Sequence, residues 1–297
     1  MNTDYRKPAR QWLPIATLAF LALIWGCNWI VNKISLRYAG PFEFAAIRCL
    51  AASLVLFIML PLTGRSLRPP KLGPAMLLGL LQTAGFTGLS NWALVAGGAG
   101  HVAVLVYTMP FWVMLFAWPT LHERIVGWQW LAVALALLGL VCFLEPWHLQ
   151  GTLSSKVLAL SCGAVWGMGV IVGKKIQANG QVDLLSLTAW QMLLGSVPLI
   201  IVAALAGEPA IEWTPALIWG LLYNIVPATA IGWLLWLYLL KTLKASAVGI
   251  GSLLNPIVGV VASAIFLGEL PNHVELAGML LILLALALIA YLASKAK

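Results

Sequence analysis

The chain reads LPIATLAFLALIWGCNWIVNK from Leu13 to Lys33, an apolar run that ends at a lysine. An α-helix that crosses a hydrocarbon core about 30 Å thick needs about 20 apolar residues, so this run predicts a membrane-spanning helix. Basic residues precede it, as in a signal peptide, but no small-residue cleavage site leads from it into a soluble domain. We therefore expect a retained first span after a cytoplasmic tail, residues 1–12.

Nine further apolar runs, each bounded by charge, Pro or Gly, continue this pattern. With the first they lie at 13–33, 42–62, 73–93, 98–118, 126–144, 156–176, 184–206, 214–239, 246–267 and 274–293. Ten spans use about 200 residues, which leaves no loop long enough for a soluble catalytic or receptor domain. The sequence therefore predicts an all-α integral membrane protein with ten transmembrane helices.

The composition agrees with lipid as the main solvent. Hydrophobic residues make up 62% of the 297 residues and charged residues 9%, against about 25% charged in soluble domains. The net charge of +8 is dispersed over short loops, so we expect a bilayer and a small molecule as partners, and no nucleic acid. The four cysteines lie in apolar stretches without C-x-x-C spacing, so no disulfide, metal or cofactor is expected.

The basic residues predict the orientation, because Lys and Arg near span ends resist translocation. With the N-terminus inside, 13 of the 17 basic residues fall on the cytoplasmic side. Lys33, Arg37 and Lys156 fall outside, and Arg48 lies within the second span. Both termini are then cytoplasmic, including a tail at 294–297, and the expected location is the inner membrane of a bacterium.

The two halves of the chain resemble each other. WGCNWIVNK at Trp25–Lys33 matches WGMGVIVGK at Trp166–Lys174 in its Trp-Gly pair and its lysine. A second set matches at an offset of 146, with Ala99, Val102, Pro110, Leu121 and Glu123 recurring as Ala245, Val248, Pro256, Leu267 and Glu269. Because five spans are an odd number, the halves 13–146 and 147–293 are predicted to be inverted repeats. Inverted repeats favour alternating access around a site near the midplane.

These features resemble the drug/metabolite transporter superfamily, in its ten-helix EamA-type branch, over essentially the whole chain. The resemblance rests on the W-G-x-N of Trp25, Gly26 and Asn28, on Arg48, and on the pairs Pro110 with Glu123 and Pro256 with Glu269. Within the branch the sequence is most similar to YddG-type exporters of aromatic and other amino acids. Two glycines of the family pattern are replaced, by Ala132 and Ala285. The resemblance implies an exporter of amino acids or related metabolites.

Polar and aromatic side chains inside the spans are the candidate site. Polar groups within membrane helices face other helices or a water-filled cavity, and several such stripes together favour a cavity. The candidate lining residues are Trp25, Asn28, Gln82, Phe86, His101, Tyr107, Trp166, Tyr223, Asn224, Ser252 and Asn255. Aromatic rings would suit an apolar or cationic substrate.

Prolines and Arg48 leave alternatives open. Pro110 and Pro256 remove helix donors at matched depths, which indicates either gating elements or fixed kinks, and Pro198 and Pro227 predict further breaks. Arg48 could bind a substrate carboxylate, snorkel, or form a structural bond to the second half, where Gln191 corresponds to it.

The carboxylates lie near span ends, so we expect facilitated diffusion or weakly coupled export. A channel and an intramembrane lipid-processing enzyme are the alternatives to a carrier. An enzyme needs positioned acid, base or nucleophile groups, and the histidines form no such pair with carboxylates inside a span. Small-residue patterns in the sixth span predict close helix approach, and we expect a monomer.

Overall fold

The computed structural model describes residues 12–97, 99–144, 152–180, 182–267 and 272–295, and regular structure in these ranges is helical throughout. The helices are α1 (Trp12–Ser35), α2 (Pro41–Leu62), α3 (Leu72–Leu78), α4 (Phe86–Ala96), α5 (Ala99–Val106), α6 (Met109–Leu121), α7 (Gln129–Leu144), α8 (Leu153–Ala178), α9 (Leu184–Ala206), α10 (Pro215–Tyr223), α11 (Gly232–Thr242), α12 (Ala245–Gly251), α13 (Leu254–Leu267) and α14 (His273–Lys295). A π-helical segment joins α3 to α4 (Gly79–Gly85) and another joins α10 to α11 (Asn224–Ile231). The prediction of an all-α fold is confirmed.

Several helices are long and apolar enough to cross a membrane. Within the described ranges these are Trp12–Ser35, Pro41–Leu62, Leu72–Val95, Leu153–Ala178, Leu184–Ala206 and Pro215–Thr242. Shorter apolar helices lie at Met109–Leu121, Gln129–Cys142, Ala245–Gly259 and His273–Ile289. The chain is therefore a multi-pass membrane protein, and its helices lie where the apolar runs predict them.

Local sequence signals explain several helix boundaries. Pro41 occupies the first turn of α2, where its missing N–H costs no hydrogen bond. Asp183 accepts a hydrogen bond from the backbone N–H of Leu185 at 3.0 Å and so caps α9. Gly207, with a φ of 62°, ends α9 in the left-handed conformation that glycine adopts without strain.

Interruptions occur at matching places in the two halves. The π segments lie in the third and eighth predicted spans. The fourth and ninth spans break after α5 and after α12, at Tyr107–Thr108 and at Ser252–Leu253. Pro110 and Pro256 follow these breaks in the first turns of α6 and α13. The prediction of a break at Pro198 is wrong, because α9 continues through that residue.

Helices of the first half pack mainly on helices of the second. α2 lies along α9, and α7 lies along α14. α1 packs on α13 and on the α10–α11 helix, while its counterpart α8 packs on α6 and on the α3–α4 helix. The glycines of the repeated Trp-Gly pair allow these approaches. A Cβ on Gly26 would lie 2.8 Å from the carbonyl oxygen of Asn255, and one on Gly167 would lie 2.9 Å from Cβ of Trp112.

Contacts between the helix junctions define two ends of the bundle. At one end Arg65 pairs with Asp183 and Lys174 contacts the carbonyl of Leu243. At the other end, Glu212 N–H donates to the carbonyl of Tyr38 at 2.8 Å. We name the first the basic end, because it carries Arg65, Arg68, Lys71, Arg124, Lys174, Lys175, Lys241 and Lys244. Among described residues the opposite end carries the cations Lys33, Arg37 and Lys156.

The crossing of α7 and α14 generates a stability prediction. A Cβ on Gly139 would lie 2.8 Å from the carbonyl oxygen of Gly278 and 3.0 Å from the amide nitrogen of Ile282. Because both atoms belong to backbone, Gly139→Ala forces the helices apart and should cost about 1–3 kcal/mol. Thermal unfolding of the detergent-purified protein, followed by tryptophan fluorescence, should show a lower Tm. Gly73→Ala, where a Cβ meets nothing within 4 Å, is the control; equal Tm values would contradict the crossing.

Candidate functional site

A cluster of aromatic rings lies where the two halves meet. We define the aromatic cluster as Trp25, Phe86, Tyr107, Trp166, Trp233 and Trp236. The ring centroid of Trp166 lies 5.8 Å from Trp25, 4.8 Å from Phe86 and 5.2 Å from Trp236. Trp25 is also 5.4 Å from Trp233. These spacings are those of interacting aromatic pairs, and they join α1, α4, α8 and α11.

Hydrogen bonds fix α1 against its neighbours around the cluster. The Nε1–H of Trp25 donates to the carbonyl of Ala228 in the second π segment at 2.8 Å. The hydroxyl of Tyr223 donates to the carbonyl of Ile24 at 2.7 Å. The Nε1–H of Trp29 donates to the hydroxyl of Tyr107 at 3.0 Å. Two residues with candidate site roles, Trp25 and Tyr223, thus hold α1 to the α10–α11 helix.

Other polar atoms of the cluster have no protein partner. The Nε1–H groups of Trp166 and Trp236 are buried and make no hydrogen bond to described residues. Neither side-chain polar atom of Gln82 is bonded, and Gln82 is fully buried against Gly169 of α8. Buried polar groups are usually paired. The indole N–H groups of Trp166 and Trp236, and the amide of Gln82 beside the cluster, are therefore candidates to bind a ligand.

The structure brings together many, though not all, of the predicted lining residues. Asn28 lies one turn after Trp25 with an unbonded Oδ1. Asn255 is a neighbour of the Tyr107 hydroxyl, and Ser252 donates to the carbonyl of Gly249 at 2.6 Å, where α12 ends. The side chain of His101 lies outside the described residues. Trp233 and Trp236 belong to the cluster but were not among the predicted lining residues; their spacing of three, on one helix face, was the available signal.

Arg48, on α2, lies apart from the cluster and contacts α1 and the second π segment. Its Nη1 donates to Oδ1 of Asn224 at 2.8 Å and to Oδ1 of Asn32 at 3.4 Å. Asn224 in turn donates from Nδ2 to the carbonyl of Gly220 at 2.9 Å. The bond from Arg48 to Asn224 joins the first half to the second. A structural bond of this kind was one of the three alternatives for Arg48. Gln191, its counterpart on α9, carries no charge.

The lysines of the repeated motif perform matching roles at the two ends. At the opposite end, Lys33 donates to the carbonyls of Leu94 at 2.7 Å and Gly97 at 3.0 Å, where α4 ends. At the basic end, Lys174 donates to the carbonyl of Leu243, where α11 ends. A lysine at the carbonyl end of a helix satisfies unpaired acceptors and offsets the helix dipole. The motif lysine therefore closes the equivalent helix end in each half.

Glu123 completes the contact at the basic end. Its carboxylate accepts hydrogen bonds from the backbone N–H groups of Ala245 and Ser246 at 3.2 and 3.3 Å. These groups begin α12, so the glutamate at the end of the fourth span caps the start of the ninth. Glu269, the repeat counterpart of Glu123, lies outside the described residues.

A groove of about 650 Å³ opens at the basic end. It lies between the 62–72 junction, the end of α8 and the start of α9, with Arg68, Lys71 and Lys175 at its rim and Leu77, Val172 and Leu187 among its apolar lining residues. The equivalent place at the opposite end is bridged by a carboxylate. There, the Glu208 carboxylate accepts from the N–H groups of Phe42 at 2.9 Å and Glu43 at 2.7 Å.

Comparison with known proteins finds transporters. The sequence profile of the EamA-like transporter family matches residues 12–144 and again residues 153–291. The chain is 33% identical to "Uncharacterized transporter YvbV" of Bacillus subtilis, over 92% of this chain and 90% of that protein. It is 30% identical to a "Probable amino-acid metabolite efflux pump" of Salmonella typhimurium, over 90% and 92%. It is 28% identical to the "Uncharacterized inner membrane transporter YedA" of Escherichia coli K12, over 94% and 92%.

A solved crystal structure shares the fold. It superposes with a TM-score of 0.78 over 94% of this chain and 97% of its own, at 17% sequence identity. At that identity the likeness concerns the architecture alone. The relatives named as transporters and the helices that can cross a membrane together make this chain a multi-pass protein of the bacterial inner membrane.

The lysine at the end of α11 generates a second prediction. Lys174→Gln removes the cation from the Leu243 carbonyl and should cost about 1 kcal/mol, the usual range for a charge at a helix end. Lys33→Gln should cost a similar amount at the end of α4. The Tm of the detergent-purified variants is the measurement, with Arg68→Gln, at an exposed cation of the 62–72 junction, as the control. If all three variants unfold at the wild-type temperature, the lysine contacts do not stabilise the fold.

Proposed function

The chain belongs to the EamA-like transporter family, and we propose that it is a secondary exporter of amino acids or related small metabolites. The observation that carries this proposal is the aromatic cluster between the halves, with its unpartnered donors on Trp166 and Trp236. A site with apolar walls and a few free polar groups is typical of small-molecule binding. Two relatives, from Salmonella typhimurium and Escherichia coli, bear the name of amino-acid metabolite efflux pumps.

We further propose ten spans, arranged as inverted repeats over 13–146 and 147–293, that work by alternating access. The matched π segments, the matched breaks before Pro110 and Pro256, and the pairing of α1 and α8 with equivalent partners support the repeat. The family profile also matches each half separately. Related halves can exchange conformations around a central site, so that one end opens as the other closes.

The basic end is proposed to face the cytoplasm. Lysine and arginine near span ends are retained on that side. Of the six described acidic residues, Glu43, Glu208, Glu212 and Glu275 lie at the opposite end, and Glu123 and Asp183 lie at the basic end. With both termini also inside, the open groove faces the cytoplasm and the opposite end faces outward. The conformation described is then inward-facing, ready to receive a substrate for export.

The groove and the aromatic cluster lie one after the other along α8. Val172 lines the groove, Gly169 contacts Gln82 one turn further, and Trp166 follows in the cluster. The six residues from Val172 to Trp166 span about 9 Å of helix. Gln82, with both amide atoms unbonded, is therefore the first polar group that a substrate would meet below the groove.

Coupling to an ion is not part of the proposal. In the described residues the carboxylates lie at helix ends or in the junctions, and none lies beside the aromatic cluster. A proton-coupled carrier usually places such a group within its spans. We therefore propose facilitated export that also permits exchange of substrate for substrate.

Counterflow tests the proposal. Purified protein in liposomes is loaded with an unlabelled compound and given the labelled compound outside, across a panel of amino acids, nucleotides, sugars and aromatic drugs. The proposal predicts saturable counterflow with amino acids. Flux without saturation or counterflow would indicate a channel, and chemical conversion of the compound would indicate an enzyme. Counterflow restricted to another class would contradict the amino-acid assignment.

Trp166→Phe tests the site within the same assay. The change keeps an aromatic ring in the cluster and removes an N–H that has no protein partner; because Trp166 is buried among the other rings, the smaller side chain should also lower the Tm. A lost hydrogen bond to substrate costs about 1 kcal/mol, so the KM for counterflow should rise roughly fivefold. Trp219→Phe, at a ring that is 70% exposed on α10, is the control. An unchanged KM in Trp166→Phe would place the substrate elsewhere.

A further inference from the structure

Arg48 is a buried cation without an anion. It lies near the middle of α2 and is 4% exposed. Its described partners are the amide oxygens of Asn224 and Asn32, and its Nε–H has no partner. The ion pair that Arg65 forms with Asp183 lies at the basic end and does not involve Arg48. No described carboxylate therefore neutralises the Arg48 guanidinium.

This arrangement is complementary to a carboxylate. Burying a charge without a counter-ion is strongly unfavourable, and amide oxygens carry only part of a negative charge. A guanidinium binds a carboxylate through two parallel N–H···O bonds, which supply both the charge and the geometry. In Arg48 the fork at the end of the guanidinium consists of Nη1, which the oxygens of Asn224 and Asn32 hold, and Nη2, so a carboxylate that uses this fork replaces the amide oxygens.

Both partners of the Arg48 guanidinium lie on elements that the indole of Trp25 joins, namely α1 and the second π segment. Asn224, which holds Arg48, precedes Ala228 by four residues, or about 6 Å along the helix. The carbonyl of Ala228 holds the indole of Trp25. Asn32, the weaker partner, lies two turns after Trp25 on α1. A molecule with its carboxylate at Arg48 could therefore place an apolar group against the rings of the cluster.

We propose that Arg48 binds the carboxylate of the exported substrate, and that this carboxylate displaces the Oδ1 of Asn224 from the guanidinium. The inference rests on the proposed export function and narrows its substrates to carboxylic acids, above all amino acids with apolar side chains. Because the bond to Asn224 joins α2 to the second π segment, substrate binding and release of a link between the halves become one event.

Paired ligands test the carboxylate. Calorimetry in detergent compares L-phenylalanine with L-phenylalaninamide, and L-leucine with L-leucinamide, on the purified protein. The wild type should bind each acid at least tenfold more tightly than its amide. In Arg48→Gln this preference should be lost, because the affinity for the acid falls while the affinity for the amide changes less than twofold. Arg37→Gln, which removes an exposed cation at the opposite end, is the control and should keep the preference.

Asn224→Asp tests the displacement. The variant supplies a carboxylate of the protein's own at the position that contacts Arg48. It should raise the Tm through the new ion pair and weaken acid binding at least tenfold, because the substrate now competes with a fixed anion. Unchanged acid affinity in this variant would contradict the displacement.

The outcomes separate this inference from the transport proposal. Equal affinity of the wild type for acid and amide, or an acid preference that survives in Arg48→Gln, would overturn the carboxylate site. If Arg48→Gln does not fold, the acid preference of the wild type and the acid affinity of Asn224→Asp test the carboxylate site. Counterflow only with compounds that lack a carboxylate would overturn this inference and leave the transporter standing. Arg48-dependent acid binding without any counterflow would overturn transport and leave the anion site.

Discussion

The structure depends on satisfying backbone groups where membrane helices are interrupted. Lipid offers no hydrogen bonds, so each carbonyl or N–H released by a break needs a partner within the protein. Lys33 and Lys174 supply donors to the ends of α4 and α11, and Glu123 supplies an acceptor to the start of α12. Trp25 donates to a carbonyl of the second π segment. The repeated residues of the sequence are therefore those that make broken helices tolerable in a bilayer.

These interruptions also determine where function can lie. The continuous helices α2 and α9 pack along each other, whereas the aromatic cluster joins the continuous helices α1 and α8 to helices that are broken or π-helical. A break held by a few side-chain contacts can rearrange more easily than an unbroken helix, because few hydrogen bonds have to be exchanged. The two lysine contacts lie at opposite ends of the bundle, and each half contributes one of them.

The sequence predicted the helices and the breaks at Pro110 and Pro256, because hydropathy, charge and proline are local signals. It predicted a break at Pro227, which lies in the second π segment, but it did not predict the first π segment or the unbroken passage of α9 through Pro198. Trp233 and Trp236 were not predicted to line the site, because the sequence does not say which face of α11 meets another helix. The partners of Arg48 lie 16 and 176 residues away in the chain, and only the packed structure brings them to it.

Alternating access between inverted halves is the central claim, and distances at the two ends test it most directly. Spin labels at Ser66 and Asn179 span the groove of the basic end, and labels at Arg37 and Pro209 span the opposite end; all four residues are exposed. Pulsed electron paramagnetic resonance would compare both distances with and without L-phenylalanine in liposomes. The account predicts reciprocal changes, with the 66–179 distance shortening as the 37–209 distance lengthens. Distances that stay fixed, or that lengthen together, would contradict it.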